Sequence, residues 1–207
     1  MDPKPRIFVI DDDPIVIRML ERLLRSKGFT VEAFTSPAAF LERPPYEGLA
    51  CMLLDLRMPI LSGLDVQEAM SRRGMSMPIV FLSAAADVPS TARAMREGAV
   101  DFLIKPIDEP ELFDAVQRAT TKACALQRQR QDEREVNALL ARLTKREREV
   151  CNLVTQGLLN KQIAHELGTS EKTVKVHRGR VMRKLEVDSV AALVRLVSNL
   201  STSRLAS

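Results

Sequence analysis

Short apolar runs alternate with helix-like stretches along the first part of the chain, up to Thr121. The apolar runs are Ile7–Ile10, Val31–Phe34, Ala50–Leu54, Ile79–Leu82 and Phe102–Ile104. Several of them are almost entirely apolar, which is typical of parallel strands that helices cover on both faces. We therefore expect five strands of one parallel sheet.

The segments between these runs have the spacing of amphipathic helices. Ile17, Leu20 and Leu24 give one apolar face, and Gly28 is expected to stop that helix. The further helices are predicted at Pro37–Glu42, Leu64–Arg73, Pro89–Glu97 and from Pro110 onward. Five strand–helix units in series predict an α/β fold with a doubly wound, five-stranded parallel sheet of the flavodoxin-like type.

From Leu143 onward the pattern is helical throughout. Thr144 followed by Glu147 predicts a capping box at the start of a helix. Gly157 and Gly168 are expected to end helices. Asn160 and Ser170 are expected as the N-caps of the helices that follow them, and Ser189 is expected to begin a further helix. Two short helices joined by a turn that contains glycine indicate a helix-turn-helix in a small all-α domain.

The helix that begins near Pro110 does not stop cleanly. Its apolar spacing is interrupted by the polar stretch Gln127–Glu135 and resumes at Val136. Two interpretations stay open, a solvated helix that joins two domains and a short coiled coil of a dimer. We expect a first domain over residues 1–122, a helical linker over residues 123–142 and a second domain over residues 143–207.

Charge is distributed unevenly along the chain. Residues 143–207 contain 12 Lys and Arg against 6 Asp and Glu, whereas the rest contains 19 against 21. A basic segment of this kind predicts a polyanion as its partner. The three scattered cysteines have no metal-ligand spacing and are typical of reduced thiols. The absence of a secretory pattern and of an apolar window as long as a membrane span adds the expectation of a cytoplasmic protein.

Reactive side chains follow four of the predicted strands at the points where these end. Asp11–Asp13 follow the first strand, Asp55 the third, Ser83 the fourth and Lys105 the fifth. The carboxyl ends of parallel strands meet at one edge, so these groups are expected to converge. Grouped carboxylates repel one another unless a cation joins them, and Mg²⁺ prefers carboxylate, water and phosphate oxygens. Asp55 is then placed to attack phosphorus as a nucleophile, with Lys105 and the metal neutralising the developing charge.

Four stretches together resemble the receiver domains of bacterial response regulators. They are VIDDDP (Val9–Pro14), LLDLRMPILSGLD (Leu53–Asp65), FLSA (Phe81–Ala84) and GAVDFLIKP (Gly98–Pro106). The resemblance covers about Pro5 to Thr121. It implies that Asp55 accepts a phosphoryl group from a sensor histidine kinase.

The resemblance also implies roles for the neighbouring residues. Mg²⁺ is expected to bind Asp12, Asp55 and the backbone carbonyl of Arg57, with Asp11 acting through water. Lys105 is expected to bind the phosphoryl group, and Ser83 and Phe102 to form a switch pair. Phe102 has a second interpretation as an ordinary core aromatic.

The segment LTKREREVCNLVTQGLLNKQIAHELGTSEKTVKVHRGRVMRKLEV (Leu143–Val187) resembles the LuxR/NarL/FixJ-type helix-turn-helix. This resemblance continues to about Val197. It implies a supporting helix at Asn160–Leu167 and a recognition helix at Glu171–Leu185. The residues expected to contact DNA are Lys161, Thr169, Lys172, Thr173, Lys175, Val176, His177, Arg178, Arg180 and Lys184.

Several of these expected contacts have particular reasons. The apolar stripe through Val174 and Val181 predicts that Lys172, Lys175 and Arg178 lie away from the buried face. By resemblance, Lys175 and Val176 point at base edges. A further base-reading position is occupied by Gly179, for which Arg178 or Arg180 is expected to substitute. His177 is interpreted either as a base reader or as a partner of a phosphate or of a domain neighbour.

The whole chain therefore resembles a two-component response regulator, and its receiver looks like the FixJ/StyR-type branch. One departure is Ala85–Ala86, where that branch often has His-Gly, and it puts the rate of dephosphorylation in question. The expected function is transcription regulation, with activation favoured over repression. The expected partners are a sensor kinase, promoter DNA, RNA polymerase and a second copy of the chain on phosphorylation.

Two other functions stay open at this point. An aspartyl-phosphate hydrolase would share the nucleophile, the metal and the lysine, but such enzymes need a general acid two residues beyond the nucleophile, where this chain has Arg57. A degenerate receiver that only mediates dimers is the other alternative. The intact acidic set disfavours it, so we expect a regulatory protein whose only chemistry is its own phosphorylation and dephosphorylation.

Overall fold

A computed structural model describes residues 5–83 and 88–205, and the side chains of residues 5–83 and 92–198. The chain divides into two compact units, Met1–Gln127 and Arg128–Ser207, which are described separately below. The Ala85–Ala86 pair lies outside the described residues. Within the described ranges, no helix combines the length and the apolar character needed to cross a membrane.

The first unit is a parallel sheet flanked by helices. Its elements are β1 (Arg6–Ile10), α1 (Pro14–Ser26), β2 (Thr30–Phe34), α2 (Pro37–Glu42), β3 (Ala50–Asp55), α3 (Gly63–Arg72), β4 (Ile79–Ser83), α4 (Val88–Arg96), β5 (Asp101–Ile104) and the first part of α5 (Glu109–Ala141). All strand pairs are parallel, in the order β2-β1-β3-β4-β5. The predicted doubly wound sheet is confirmed, and each observed strand is one residue longer at one end than the predicted strand.

Two hydrophobic cores lie on opposite faces of this sheet, because successive strand residues point to opposite sides. Ile7 and Val9 face α1 and α5, in a core that also contains Leu20. Phe8 and Ile10 face the other way, in a core with residues of α2, α3 and α4. Burial on both faces explains why the strands are apolar at almost every position, and it leaves the ends of the strands as the places for reactive side chains.

The second unit contains α6 (Lys145–Thr155), α7 (Asn160–Glu166), α8 (Glu171–Lys184) and α9 (Val190–Leu205). The predicted capping box is confirmed, since Glu147 accepts from the N–H of Thr144 at 2.9 Å and the Thr144 hydroxyl accepts from that of Glu147 at 3.3 Å. Ser170 accepts from the backbone N–H of Thr173 at 3.2 Å and so caps α8 as predicted.

The predicted cap at Asn160 is wrong. Leu159 is the non-helical residue that precedes α7, and Asn160 is the first residue inside the helix. The backbone N–H of Leu159 donates to Oε1 of Gln162 at 2.8 Å, so a glutamine side chain satisfies this helix start instead. The Asn160 side chain is consequently available for a contact with another helix.

The helix α5 is continuous across the polar stretch that interrupts its apolar spacing. Gln129 donates to Glu133 at 3.1 Å and Gln131 donates to Glu135 at 2.8 Å, both four residues further along the helix. All residues of Gln127–Glu135 are exposed or half-buried. Side-chain pairs with this spacing stabilise a solvated helix, which supports that interpretation of the stretch.

Candidate functional site

The predicted acidic groups converge at the carboxyl ends of β1 and β3. These strands are neighbours, and Ile10 pairs with Leu54, so Asp11 and Asp55 end adjacent strands at the same level. Carboxylate oxygens of Asp11, Asp12 and Asp55 lie within 4.8 Å of one another. Asp11 and Asp55 are buried, whereas Asp12 is exposed. The cluster is therefore fixed on its inner side and open to solvent on its outer side.

Lys105, the residue directly after β5, brings a positive charge into this cluster. Its Nζ lies 2.6 Å from Oδ2 of Asp11 and 3.4 Å from Oδ1 of Asp55. Its backbone N–H donates to the carbonyl of Ser83 at 2.7 Å, which fixes the start of the segment after β5 against the end of β4. The lysine thus bridges the two buried carboxylates.

Asp13 has a separate task from the other two members of its run. Its carboxylate accepts from the backbone N–H of Ile15 at 2.7 Å and caps α1. The backbone N–H of Asp13 itself donates to Oδ1 of Asp11 at 2.9 Å. The start of α1 therefore holds Asp11 in place, and Asp11 and Asp12 are left for the cluster.

The electrostatics of the site reflect its burial and its net negative charge. Burial raises the pKa of Asp55 above its ordinary value, and the charge of Lys105 opposes this rise, while the charge of Asp11 adds to it. Burial works to lower the pKa of Lys105, but its hydrogen bond to Asp11 and the charges of Asp11 and Asp55 raise it overall. Among the described residues, the carboxylates of Asp11, Asp12 and Asp55 gather around the ammonium group of Lys105, so an added cation would be favourable here.

The donor set suits a hard divalent cation. Asp11, Asp12 and Asp55 offer oxygen ligands, and no histidine or cysteine joins them among the residues that the structure describes. Mg²⁺ prefers a few carboxylates and keeps several water molecules, which the exposed side at Asp12 allows. The backbone N–H of Arg57 donates to Asp55, while its predicted metal contact through the carbonyl stays a prediction.

Ser83 and Phe102 occupy the positions expected of them along the sheet. Ser83 ends β4 and has no exposed surface. Phe102 pairs with Phe81 across β4 and β5, and its half-buried ring packs against the core beside α3 and α4. This packing agrees with an ordinary core aromatic as well as with a switch residue, so the switch role stays a prediction.

Gly63 is a member of the site that the sequence did not single out. A Cβ on Gly63 would overlap the carbonyl oxygen of Asp55 and would lie 2.9 Å from the ring of Phe81. The start of α3 therefore packs directly against the backbone of the predicted phosphoacceptor. A glycine immediately after the Ser62 cap was the available signal, but the close approach is a tertiary feature.

In the second unit, α8 presents one buried face and one basic face. Val174, Val181 and Leu185 are buried in the core of this unit. The exposed predicted DNA contacts are Lys161, Lys172, Lys175, Val176 and Arg180, while Thr169, Thr173, His177 and Arg178 are half-buried. Arg183 is exposed too, and it completes this face although it was not among the predicted contacts. Arg183 lies nine residues after Val174 and therefore on the opposite side of the helix, so this spacing could have predicted its exposure.

The prediction that Arg178 lies away from the buried face is wrong. Arg178 follows Val174 by one turn, so its side chain begins near the core and is half-buried. Its Nη1 donates to Oδ1 of Asn160 at 3.1 Å, which joins α8 to α7. A side chain held in this way is poorly placed to replace a base reader at Gly179.

Lys184 is half-buried and forms hydrogen bonds within its own unit. Its Nζ donates to Oε2 of Glu147 at 2.6 Å and to the carbonyl of Arg142 at 3.0 Å. Glu147 is only 3% exposed, and the hydrogen bond from Lys184, followed by that from Thr144, lowers its pKa to about 2. The contact fixes the end of α8 on α6, and the DNA contact expected of Lys184 stays a prediction.

Comparisons with known proteins agree with both halves of this description. The response regulator receiver domain family matches residues 7–117, and the luxR family of bacterial regulatory proteins matches residues 141–197. The response regulator protein TmoT of Ectopseudomonas mendocina is 41% identical over 98% of this chain and 92% of its own length.

Two solved structures cover nearly the whole chain as well. The structure of the response regulator StyR is 45% identical, with a TM-score of 0.78 over 95% of this chain and 99% of its own. The structure of full-length FixJ from B. japonicum is 36% identical, with a TM-score of 0.59, and the match covers 96% of this chain and 98% of its own. These similarities extend over both units and over the helix α5 between them.

Proposed function

The chain belongs to the bacterial two-component response regulators that join a receiver domain to a LuxR-type DNA-binding domain, and we propose that Asp55 is the carboxylate through which a sensor kinase controls it. The observation that carries the proposal is the bridge from Lys105 to both Asp11 and Asp55 at the open end of the sheet. A transcription regulator with this architecture needs one reactive group that responds to its kinase, and Asp55 meets that need.

The proposed chemistry is a transfer of one phosphoryl group. A carboxylate oxygen of Asp55 attacks the phosphorus of a phosphohistidine, the P–N bond breaks, and its electron pair returns to the kinase imidazole. Lys105 lies close enough to neutralise charge on the phosphoryl oxygens. Mg²⁺, when bound by Asp12, Asp55, the Arg57 carbonyl and Asp11 through water, would supply further charge neutralisation. The half-exposed position of the cluster leaves a path for the kinase and later for water.

We propose that the phosphoryl group is sensed by Ser83 and relayed by Phe102. The Ser83 hydroxyl donates to a phosphoryl oxygen, and the space that it vacates admits the ring of Phe102. The resulting change in the face around β5 favours a homodimer. Two copies of α8 then meet two half-sites of promoter DNA.

The remaining parts of the proposal concern the domains and their partners. We propose a receiver over residues 1–122, a linker over 123–142 and a DNA-binding domain over 143–207, with activation through contact with RNA polymerase. Because promoter DNA must be reached, we place the protein in the cytoplasm. The proposed contacts with DNA are Lys161, Thr169, Lys172, Thr173, Lys175, Val176, His177, Arg180 and Arg183.

Phosphoryl incorporation from acetyl phosphate in the presence of Mg²⁺ tests the assignment of Asp55. We expect a single phosphoryl group per chain, sensitive to hydroxylamine as an acyl phosphate is, and none on Asp55→Asn. The control is Glu42→Gln, which makes the same carboxylate-to-amide change at an exposed residue of α2. Undiminished incorporation in Asp55→Asn would overturn the assignment. Sustained turnover of phosphate esters would favour the hydrolase instead.

A further inference from the structure

The basic face of α8 contains a glycine in its middle. Gly179 lies four residues after Lys175 and four before Arg183, and both of these residues are exposed. Residues four apart occupy the same helix face, so the three form one stripe. The stripe lies away from the buried Val174 and Val181. The surface proposed to meet DNA therefore has a gap between two long cationic side chains.

Among the residues of the DNA-binding domain that the structure describes, none requires glycine at this place. Apart from its two chain neighbours and the adjacent backbone of α8, a Cβ added to Gly179 would meet no atom of the described residues within 4 Å, and its φ lies outside the left-handed region, unlike those of Gly157 and Gly168 at helix ends. Glycine in a helix interior lowers the folding equilibrium about four- to fivefold relative to alanine. The chain thus has a destabilising residue on an open surface, where packing does not explain it.

A close approach of the backbone to a ligand is the other reason for glycine in such a position. The exposed neighbour on this face is apolar, since Val176 lies three residues before Gly179 and is 48% exposed. In the major groove, the apolar group that projects from a base edge is the C5-methyl of thymine. A notch at Gly179 with a valine wall beside it fits such a methyl group.

We propose that Gly179 is a specificity-determining position that admits a thymine methyl between the backbone of α8 and Val176. The inference rests on the proposed placement of α8 in the major groove. It reverses the expectation that Arg178 or Arg180 replaces a missing side chain at this position. Recognition here depends on the space left by glycine, while Lys175 and Arg183 hold the helix on either side.

The test uses the full chain activated with beryllofluoride and Mg²⁺, and duplexes that the parent chain selects from a random DNA library. Gly179→Ala is expected to bind the selected duplex about 5- to 150-fold more weakly, the range of one mismatched base pair. Binding to unrelated duplex is expected to stay the same, because phosphate contacts carry it. Hydrogen exchange of α8 amides is expected to slow about four- to fivefold, since alanine stabilises the helix.

A change in the DNA then identifies the contact. Each thymine of the selected duplex is replaced in turn by deoxyuridine, which removes only the methyl group. At one position this replacement should restore the affinity of Gly179→Ala, because the methyl of alanine fills the space that the thymine methyl occupied. Ala191→Ser, which adds one atom at an exposed position of α9, is expected to bind as the parent does.

Several outcomes would overturn the inference. Undiminished specific binding by Gly179→Ala does so, as does a loss that no deoxyuridine relieves. Tighter DNA binding by the unactivated variant would mean that the glycine serves a contact within the chain. The variants Lys175→Ala and Arg183→Ala distinguish a wrong placement of α8 in the groove from a wrong assignment of the notch at Gly179. If both bind normally, the placement of α8 in the groove is wrong, whereas their weakening beside a normal Gly179→Ala contradicts only the notch.

Discussion

Nζ of Lys105 lies 2.6 Å from Oδ2 of Asp11, a carboxylate with no exposed surface. The same ammonium group lies 3.4 Å from Asp55. A buried carboxylate needs a partner of opposite charge, so the lysine serves the folded receiver as well as the proposed phosphoryl transfer. Removal of the Lys105 charge should therefore affect both the stability of the receiver and its phosphorylation.

Lys105→Met keeps most of the aliphatic stem and removes the charge. We expect the receiver to lose about 3–5 kcal/mol of unfolding free energy, because Asp11 remains buried without its cation. Phosphorylation by acetyl phosphate should slow by about 100-fold or more. Urea unfolding and rates of phosphoryl incorporation measure the two effects. Lys122→Met, which removes an ammonium group bound to the carbonyl of Gly98 on the receiver surface, should change neither by much.

Gly63→Ala tests the close contact between α3 and Asp55. The added methyl would overlap the carbonyl oxygen of Asp55, so the backbone must shift. We expect a loss of about 1–3 kcal/mol in unfolding free energy and slower phosphorylation. The matched variant is Gly48→Ala, whose Cβ would meet the end of the Tyr46 side chain and leave the site untouched. Equal phosphorylation rates in the two variants would contradict the positioning role of Gly63.

Glu147→Gln tests the buried ion pair that fixes α8 on α6. The hydrogen bond from Lys184 lowers the pKa of Glu147 to about 2, below its ordinary value of 4.5. The pair therefore stabilises the folded domain fully above pH 4.5, and this contribution is lost as the pH falls toward 2. At neutral pH the glutamine variant should lose about 1.5–3 kcal/mol.

The pH profile separates Glu147 from an ordinary surface acid. Urea unfolding of the full chain, followed through resolved amide signals of α6 and α8, should show a smaller loss of stability between pH 4.5 and pH 2 in Glu147→Gln. The control Glu149→Gln breaks a half-exposed pair with Arg146 and should cost less than about 1 kcal/mol. Parallel pH profiles for Glu147→Gln and the parent would rule out the role given to this pair.

Arg183 and Arg178 are expected to affect DNA binding in different ways. Arg183→Ala should weaken binding to all duplexes and reduce the salt dependence by about one phosphate contact, since its side chain is exposed. Arg178→Ala and Asn160→Ala should have similar effects that do not add, because each removes the same contact between α7 and α8. Anisotropy of a labelled duplex at several salt concentrations measures both. Additive effects would contradict the shared contact.

Much of the fold could be predicted because burial on both faces leaves an apolar signal in every strand. The convergence of Asp11, Asp55 and Lys105 could be predicted too, since a parallel sheet aligns the carboxyl ends of its strands. Capping by Asn160 could not be judged correctly, because residue preferences do not tell which of two adjacent residues is non-helical. Gln162 decided it.

The contacts of α8 that the sequence did not predict have a different origin. Lys184 was assigned to DNA by its charge, but its partner Glu147 lies 37 residues earlier, and a sequence pattern does not show such a contact. Arg178 could have been placed correctly, because its spacing of four residues from Val174 already puts it beside the buried stripe. The approach of Gly63 to the backbone of Asp55 depends on how α3 packs, which no local pattern contains.

The control of DNA binding by Asp55 is tested most directly by the affinity of the full chain for a selected duplex, measured with Mg²⁺ in the presence and absence of beryllofluoride. We expect the mimic to tighten binding by the parent chain about 5- to 150-fold, the usual range of coupling between two sites. Glu42→Gln should respond in the same way. Asp55→Asn should show no increase. An equal increase in Asp55→Asn would contradict the account, because the signal would then reach the DNA-binding domain without its proposed acceptor.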